Sequence, residues 1–322
     1  MSEKEVLDIL GQKVALGESA TVYFNVAKLH TQNKIDVPVI IERSKKPGPT
    51  VLITAGIHGD EINGVEIVRQ IIAKGINKPK KGTIICIPVI NVFGFIHMDR
   101  EFPDGRDLNR VFPGGKAGSL ASRVAHKLIK EIVPHADLIL DFHTGGADRF
   151  NSAQIRIKQG EVVLDELAEV FGAPFVYYSK NLNKSFRNTS YKLGIPMLLF
   201  EGGKSFNIHP TITNTGVNGA KRVLHHLEML SPKFRVSKPK KSCVFISESK
   251  WVRARYSGMF KATVTVSSNV NEGDVIGHIT DPYGSFNHFV KAPNNGYVFN
   301  INESPLVYQG DAIFHISTKL EE

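Results

Sequence analysis

A layered α/β protein with an all-β carboxyl-terminal unit is the fold class that the sequence predicts, on three observations. Between residues 51 and 230, short apolar runs alternate with segments of helical period. A polar, basic stretch punctuated by two prolines follows at residues 231–241 and reads as a linker. After it no helix-period segment occurs, only short β-branched runs separated by Gly, Pro and Asn. The boundary falls near residue 235, dividing the chain into a larger unit, 1–235, and a smaller one, 236–322.

The elements follow in order. Residues 51–55 read as a buried strand and 61–73 as a helix whose apolar positions are Ile62, Val65, Val68 and Ile72. Strands are expected at 83–90, 138–142, 175–178 and 197–200, and helices at 120–133, 162–171 and 217–230. This alternation argues for a largely parallel sheet, whose ligands bind beyond the carboxyl ends of the strands. In the tail, strands are expected at 262–266, 275–279 and 297–301. Asn271-Glu-Gly-Asp-Val-Ile-Gly-His-Ile279 is echoed by Tyr308-Gln-Gly-Asp-Ala-Ile-Phe-His-Ile316, so the tail reads as a small sandwich of two similar halves.

Composition narrows the function. With 42% hydrophobic and 22% charged residues the chain can bury a core, which excludes disorder as its main state. The longest apolar stretch, 83–96, is broken by Pro88, Asn91 and Gly94, so no membrane span is expected. The first residues lack a secretion signal, and two cysteines, Cys86 and Cys243, make no disulfide framework; both point to the cytoplasm. Lys and Arg exceed Asp and Glu by 40 to 31. The basic clusters carry no interleaved aromatics, which argues against nucleic acid, and they read as solvated loops and a linker. A homo-oligomer is compatible with the sequence and not specified by it.

Three motifs carry chemistry. His58 and Glu61, in Ala55-Gly-Ile-His-Gly-Asp-Glu-Ile-Asn-Gly64, sit three apart where a buried strand turns into a helix, close enough to share one metal. His143, in Leu138-Ile-Leu-Asp-Phe-His-Thr-Gly-Gly146, ends another strand and supplies a third ligand, with Asp141 placed to orient a ring. Two His and one carboxylate are the ligand set of hydrolytic zinc sites. Either histidine alone would more often be structural; the pair, each at a strand end beside Gly, reverses that balance. Glu201 ends a third apolar strand before two glycines and is placed to act as general base and acid. Gly203-Lys-Ser205 does not complete a phosphate loop, because residue 198 is Leu. The third motif is a Gly/Pro-rich loop with Arg100, Arg106, Asn109 and Arg110, suited to clamp a carboxylate; Arg187 is a weaker anion-binding candidate.

Taken in order, His58-Gly-Asp-Glu61, Asp107-Leu-Asn109-Arg110, Asp141-Phe-His143 and Phe200-Glu201-Gly resemble the succinylglutamate desuccinylase and aspartoacylase family, a branch of the zinc carboxypeptidase superfamily, over roughly residues 10–230. The resemblance implies a three-layer mixed sheet with helices on both faces, one Zn2+ held by His58, Glu61 and His143, and Glu201 as acid and base. It further implies Asn109 and Arg110 on a substrate carboxylate and Arg100 polarising the scissile carbonyl, with Arg106 competing for that role. The family's acyl-recognition arginine has no clear match, and Arg187 is the candidate. The tail resembles a lipoyl or biotinyl carrier module, but its hairpin, Thr280-Asp-Pro-Tyr-Gly284, has no lysine, and Lys291 comes too late to be modified. An unmodified β domain that shapes access to the cleft is therefore expected, with truncation near Lys238 leaving the ligands in place. The function expected is zinc-dependent removal of an acyl group from a small anionic N-acylated amino acid or related amide. The alternative is a zinc carboxypeptidase trimming the last residue of a small peptide.

Overall fold

Apolar runs with no polar face must be covered on both sides, and this requirement builds the centre of the molecule. Strands Thr83–Ile87, Thr50–Ala55, Leu138–Gly145 and Met197–Lys204 lie side by side, each parallel to the next. Their side chains alternate between two cores. Val51, Ile53, Leu140 and Phe142 face one core with helices Ile62–Ala73, Val162–Phe171 and Pro210–His226. Leu52, Ile85 and Ile139 face the other, with helix Leu120–Glu131. The protein is thus a mixed α/β fold with helices on both faces of the sheet. The computed structural model describes residues 6–239 and 242–321; the amino-terminal reading on residues 1–5, and Lys240 and Lys241 of the linker, lie outside the described residues.

Among the described residues the sheet has twelve strands. Lys34–Arg43 and Ser19–Lys28 extend it antiparallel at one side. At the other, Arg149–Ile157 runs antiparallel beside Met197–Lys204, followed by Phe175–Tyr178, then by Val244–Arg253, Ala312–Glu321 and Gly296–Asn302. Gly296–Asn302 also returns to pair with the first residues of Arg149–Ile157, through Asn300 opposite Asn151. That contact closes five strands into a ring, and the carboxyl-terminal strands are hydrogen-bonded into the main sheet rather than standing apart beyond a linker. Truncation near Lys238 would remove four of these twelve strands, two of which border Phe175–Tyr178 and Arg149–Ile157, a consequence the sequence did not anticipate. The rest of the tail forms a four-stranded sheet over its own core, with Phe260, Ile276, Ile279 and Phe314. Both repeats turn alike: Asn271 N–H donates to Asp274 and Tyr308 N–H to Asp311, each at 2.8 Å, with Gly273 and Gly310 at positive φ.

Several expected boundaries move. The 83–90 strand ends at Ile87, and the 120–133 helix ends at Glu131 before a short turn of 3-10 helix. The last helix begins at Pro210, seven residues before the expected 217. Residues 263–266 are not a strand; the strand is Gly258–Ala262. The Val6–Arg43 strands, Arg149–Ile157, and the short helices Val92–His97 and Phe186–Lys192 were not expected. Among the described residues no helix is long and apolar enough to cross a membrane.

The closed ring buries one titratable group. The His315 ring stacks on Trp251 with centroids 4.1 Å apart and lies 4.3 Å from the ring of Phe299. Burial, helped by the charge of Arg156, lowers its pKa to about 3. Unfolded, the same imidazole titrates near its ordinary value of about 6.5. Between these values the unfolded chain binds the extra proton, so acidification below 6.5 destabilises the fold by up to about 1.4 kcal/mol per pH unit. A His315→Phe variant, which keeps a ring against Trp251, should lose that slope in urea titrations between pH 6.5 and 4.5. Parallel slopes for the two proteins would contradict the assignment.

Candidate active site

The carboxyl ends of the three central strands deliver the site. His58 follows strand Thr50–Ala55, and Glu61 is the amino-terminal cap residue of helix Ile62–Ala73. That helix approaches strand Leu138–Gly145 closely: a Cβ on Gly64 would sit 2.4 Å from the carbonyl oxygen of Phe142. The approach carries Glu61 to His143, and the Glu61 carboxylate bridges both imidazoles. Its Oε1 lies 2.7 Å from His58 Nδ1 and its Oε2 2.9 Å from His143 Nδ1. Oε2 also accepts from the Thr144 N–H at 3.0 Å. All three residues are buried, at 2–3% exposure.

The opposite nitrogen of each ring faces a carboxylate as well. His143 Nε2 is 2.8 Å from Asp141, which is itself held by the Thr54 hydroxyl, and His58 Nε2 is 3.1 Å from Asp107. Asp141 thus stands where the sequence placed it; Asp107, the partner of His58, was quoted only as part of a motif. Burial opposes charge on both rings, but the surrounding carboxylates outweigh it. Glu61 and Asp107 raise the pKa of His58, and Asp141 and Glu61 raise that of His143 well above the usual value. Glu61 is held well below the carboxylate range by the two rings, against its burial. Both nitrogens of each ring thus face carboxylate oxygens. Such a cluster calls for positive charge between the rings and the carboxylate. The candidate ligand atoms of His58, Glu61 and His143 lie within 4.8 Å of one another, so this donor set fits a divalent cation.

Glu201 is the register partner of His143 on the adjacent parallel strand, so the two side chains emerge on the same face. Its oxygens are held from strand Arg149–Ile157: Asn151 Nδ2 donates to Oε2 at 2.9 Å, and Arg156 Nη1 is 3.3 Å from Oε1. Arg100 reaches Glu61 at 3.3 Å and pairs with Asp107 at 2.9 Å. Arg106 does not join it. It is half exposed, bonds to Asp104 and lies off the cavity. Asn109 gives its side-chain oxygen to the Phe186 N–H, and Arg110 donates to the Asn109 carbonyl. Arg187 donates through Nη2 to Ser179 and the Lys180 carbonyl, while its Nη1 is buried without a partner. Burial and the nearby Arg156 lower its pKa to about 10.

His58, Glu61, His143, Glu201, Arg100, Asn109, Arg110 and Arg187 line one cavity of about 710 Å³, with Arg149, Trp251 and Asn300. Arg149, Asn151 and Arg156 escaped the sequence reading because their strand is polar. Trp251 and Asn300 escaped because they come from the carboxyl-terminal region. Among the described residues, Arg110, Arg149 and Arg187 pair with no carboxylate, leaving the cavity with cations to spare.

The family model of the succinylglutamate desuccinylase/aspartoacylase catalytic domain matches residues 47–227. The N-alpha-acetyl-L-2,4-diaminobutyric acid deacetylase of Halomonas elongata is 27% identical over 263 residues, 76% of this chain and 74% of that protein. A succinylglutamate desuccinylase/aspartoacylase from Rhodobacter sphaeroides shares the fold with a TM-score of 0.80 at 24% identity, covering 94% of this chain and 96% of its own. The product-bound ectoine utilization protein EutE (DoeB) of Ruegeria pomeroyi does so with a TM-score of 0.80 at 19% identity, covering 94% and 95%. The chain belongs to the succinylglutamate desuccinylase/aspartoacylase family of deacylases.

Proposed function

We propose that this protein is a zinc-dependent amidohydrolase that removes the acyl group from a small, anionic N-acylated amino acid. The observation that carries the reading is the alignment of Glu201 with His143 at one sheet edge, facing a cavity with unpaired arginines. Zinc bound by His58, Glu61 and His143 would supply Lewis acidity for the acyl carbonyl and the attacking water. Glu201 takes the proton of the water and returns it to the departing amine. Arg100, fixed by Asp107, stabilises the developing oxyanion, and Asn109 and Arg110 hold the substrate carboxylate. Arg187 remains for an anionic group on the acyl side, and Arg106, bonded to Asp104, is given no part in the reaction.

A panel of N-acetyl and N-succinyl amino acids together with dipeptides, assayed by amine release with added zinc, tests the reading. Preference for N-acyl amino acids supports it; turnover of dipeptides alone would favour the carboxypeptidase alternative. The Halomonas relative makes Nα-acetyl-L-2,4-diaminobutyrate the first compound to try. With the substrate found, Arg110→Ala should lower kcat/KM by about 10–150-fold, the worth of about 1.5–3 kcal/mol for a charge-assisted bond. Loss of zinc in that variant would place the loop wrongly.

The division near residue 235 and an unmodified, lipoyl-like tail belong to the same proposal. In support of the unmodified tail, Asp281 closes the 281–285 turn with bonds from the Tyr283 and Ser285 amides, and Lys291 ends the following strand outside it. An unmodified intact mass from native expression agrees with this; a lipoyl or biotinyl increment contradicts it. A cytoplasmic setting suits the unbridged Cys86 and Cys243.

A further inference from the structure

Hydrogen-bond direction can be read outward from Glu201. An ionised carboxylate only accepts, so the Asn151 amide beside Oε2 must present its nitrogen there. The Asn151 oxygen then faces Asn300, and at 2.7 Å it must receive Asn300 Nδ2. Neither amide can turn alone. Flipping Asn300 sets two oxygens against each other, and flipping Asn151 sets its oxygen against the carboxylate. Both residues are buried, at 2% and 3% exposure, in the wall of the cavity. The orientation leaves the Asn300 oxygen buried with no partner, an outcome that packing alone would not select.

Asn300 belongs to strand Gly296–Asn302 and faces Asn151 in register, 149 residues away in sequence. Arg156 holds the other Glu201 oxygen. The carboxylate is therefore gripped on both oxygens by the Arg149–Ile157 strand, and one of those grips is itself fixed from the carboxyl-terminal region.

We infer that Asn300 is a positioning residue that orients the Glu201 carboxylate through Asn151, so that the carboxyl-terminal region helps to set the acid/base group. The inference rests on Glu201 being the proton carrier, as proposed above. Asn300 does not touch the reacting atoms in this role, and its loss acts on turnover rather than on substrate affinity.

Full-length Asn300→Ala, Asn300→Asp, Asn151→Ala and the Asn151→Ala/Asn300→Ala double variant, with Glu201→Gln in the same series, provide the test. All are loaded with zinc and assayed on the N-acetyl amino acid hydrolysed fastest by the wild type. Asn300→Ala removes the donor without adding charge, and Asn300→Asp keeps the shape but cannot donate when ionised. Asn300→Ala should lower kcat by about 10–100-fold with KM within about twofold, the scale of a misplaced catalytic group. The double variant should be no slower than Asn151→Ala alone. Three results would overturn the relay: unchanged kcat in Asn300→Ala, a rise in KM alone, or independent multiplication of the two losses. If Glu201→Gln is inactive while Asn300→Ala is normal, the relay alone fails. Wild-type kcat in Glu201→Gln removes the acid/base reading and the relay with it.

Discussion

Glu201→Gln should keep its fold and its metal while kcat falls by about 10²–10⁴, the usual worth of a positioned acid/base group. The amide matches the carboxylate in shape, and its oxygen can still accept one bond. Its nitrogen, however, is a donor beside two other donors, Asn151 Nδ2 and Arg156, and finds an acceptor only if Asn151 and Asn300 turn together. A small loss of stability is therefore expected beside the kinetic one. None of the three candidate ligands is disturbed, because Glu201 is on the neighbouring strand and outside the cluster. Elemental analysis and steady-state kinetics on one preparation separate the two effects. Near wild-type kcat would reduce Glu201 to a strand residue beside the site, and loss of zinc would move it into the ligand set.

The centre of this site was legible because its residues sit where periodicity stops. His58, His143 and Glu201 each follow an apolar run, and a polar residue at the end of a buried strand has few structural reasons to be there. The rim was not legible, for two physical reasons. Strand Arg149–Ile157 is almost wholly buried yet carries Asn151, Ser152, Gln154 and Arg156, so the polar groups that serve the cavity erase its apolar pattern. Asp107, Trp251 and Asn300 reach the site through tertiary contacts, which no local pattern encodes.

Other misreadings have local causes. Thr263, Val264 and Thr265 have strand propensity but lie in irregular backbone between two sheets. Helix Pro210–His226 opens with Thr, Asn and Gly, poor helix formers, and Pro at its first position was the better start signal. Sequence alone does not separate Arg100 from Arg106; their contacts do, since Arg100 reaches Glu61 and Asp107 whereas Arg106 bonds to Asp104.

Removal of either imidazole should abolish stoichiometric zinc and activity together. Wild-type protein stripped by a chelator should regain activity when zinc returns; His58→Ala and His143→Ala should not. Each variant leaves Glu61, a buried carboxylate, facing one ring in place of two, so metal affinity and the local charge balance fail at once. Asp141→Asn offers a graded comparison. It keeps the His143 ring while weakening the bond that fixes its orientation, and a partner of this kind is worth about 10–100-fold in metal affinity. Zinc titrations followed by melting temperature read the same series without reference to any substrate, because a ligand that binds only the folded chain raises its stability. The wild type should show the largest rise on zinc addition, Asp141→Asn a smaller one at matched concentration, and the two alanine variants none. Full zinc retention in both alanine variants would remove His58, Glu61 and His143 as the metal site, whatever the assays on substrate report.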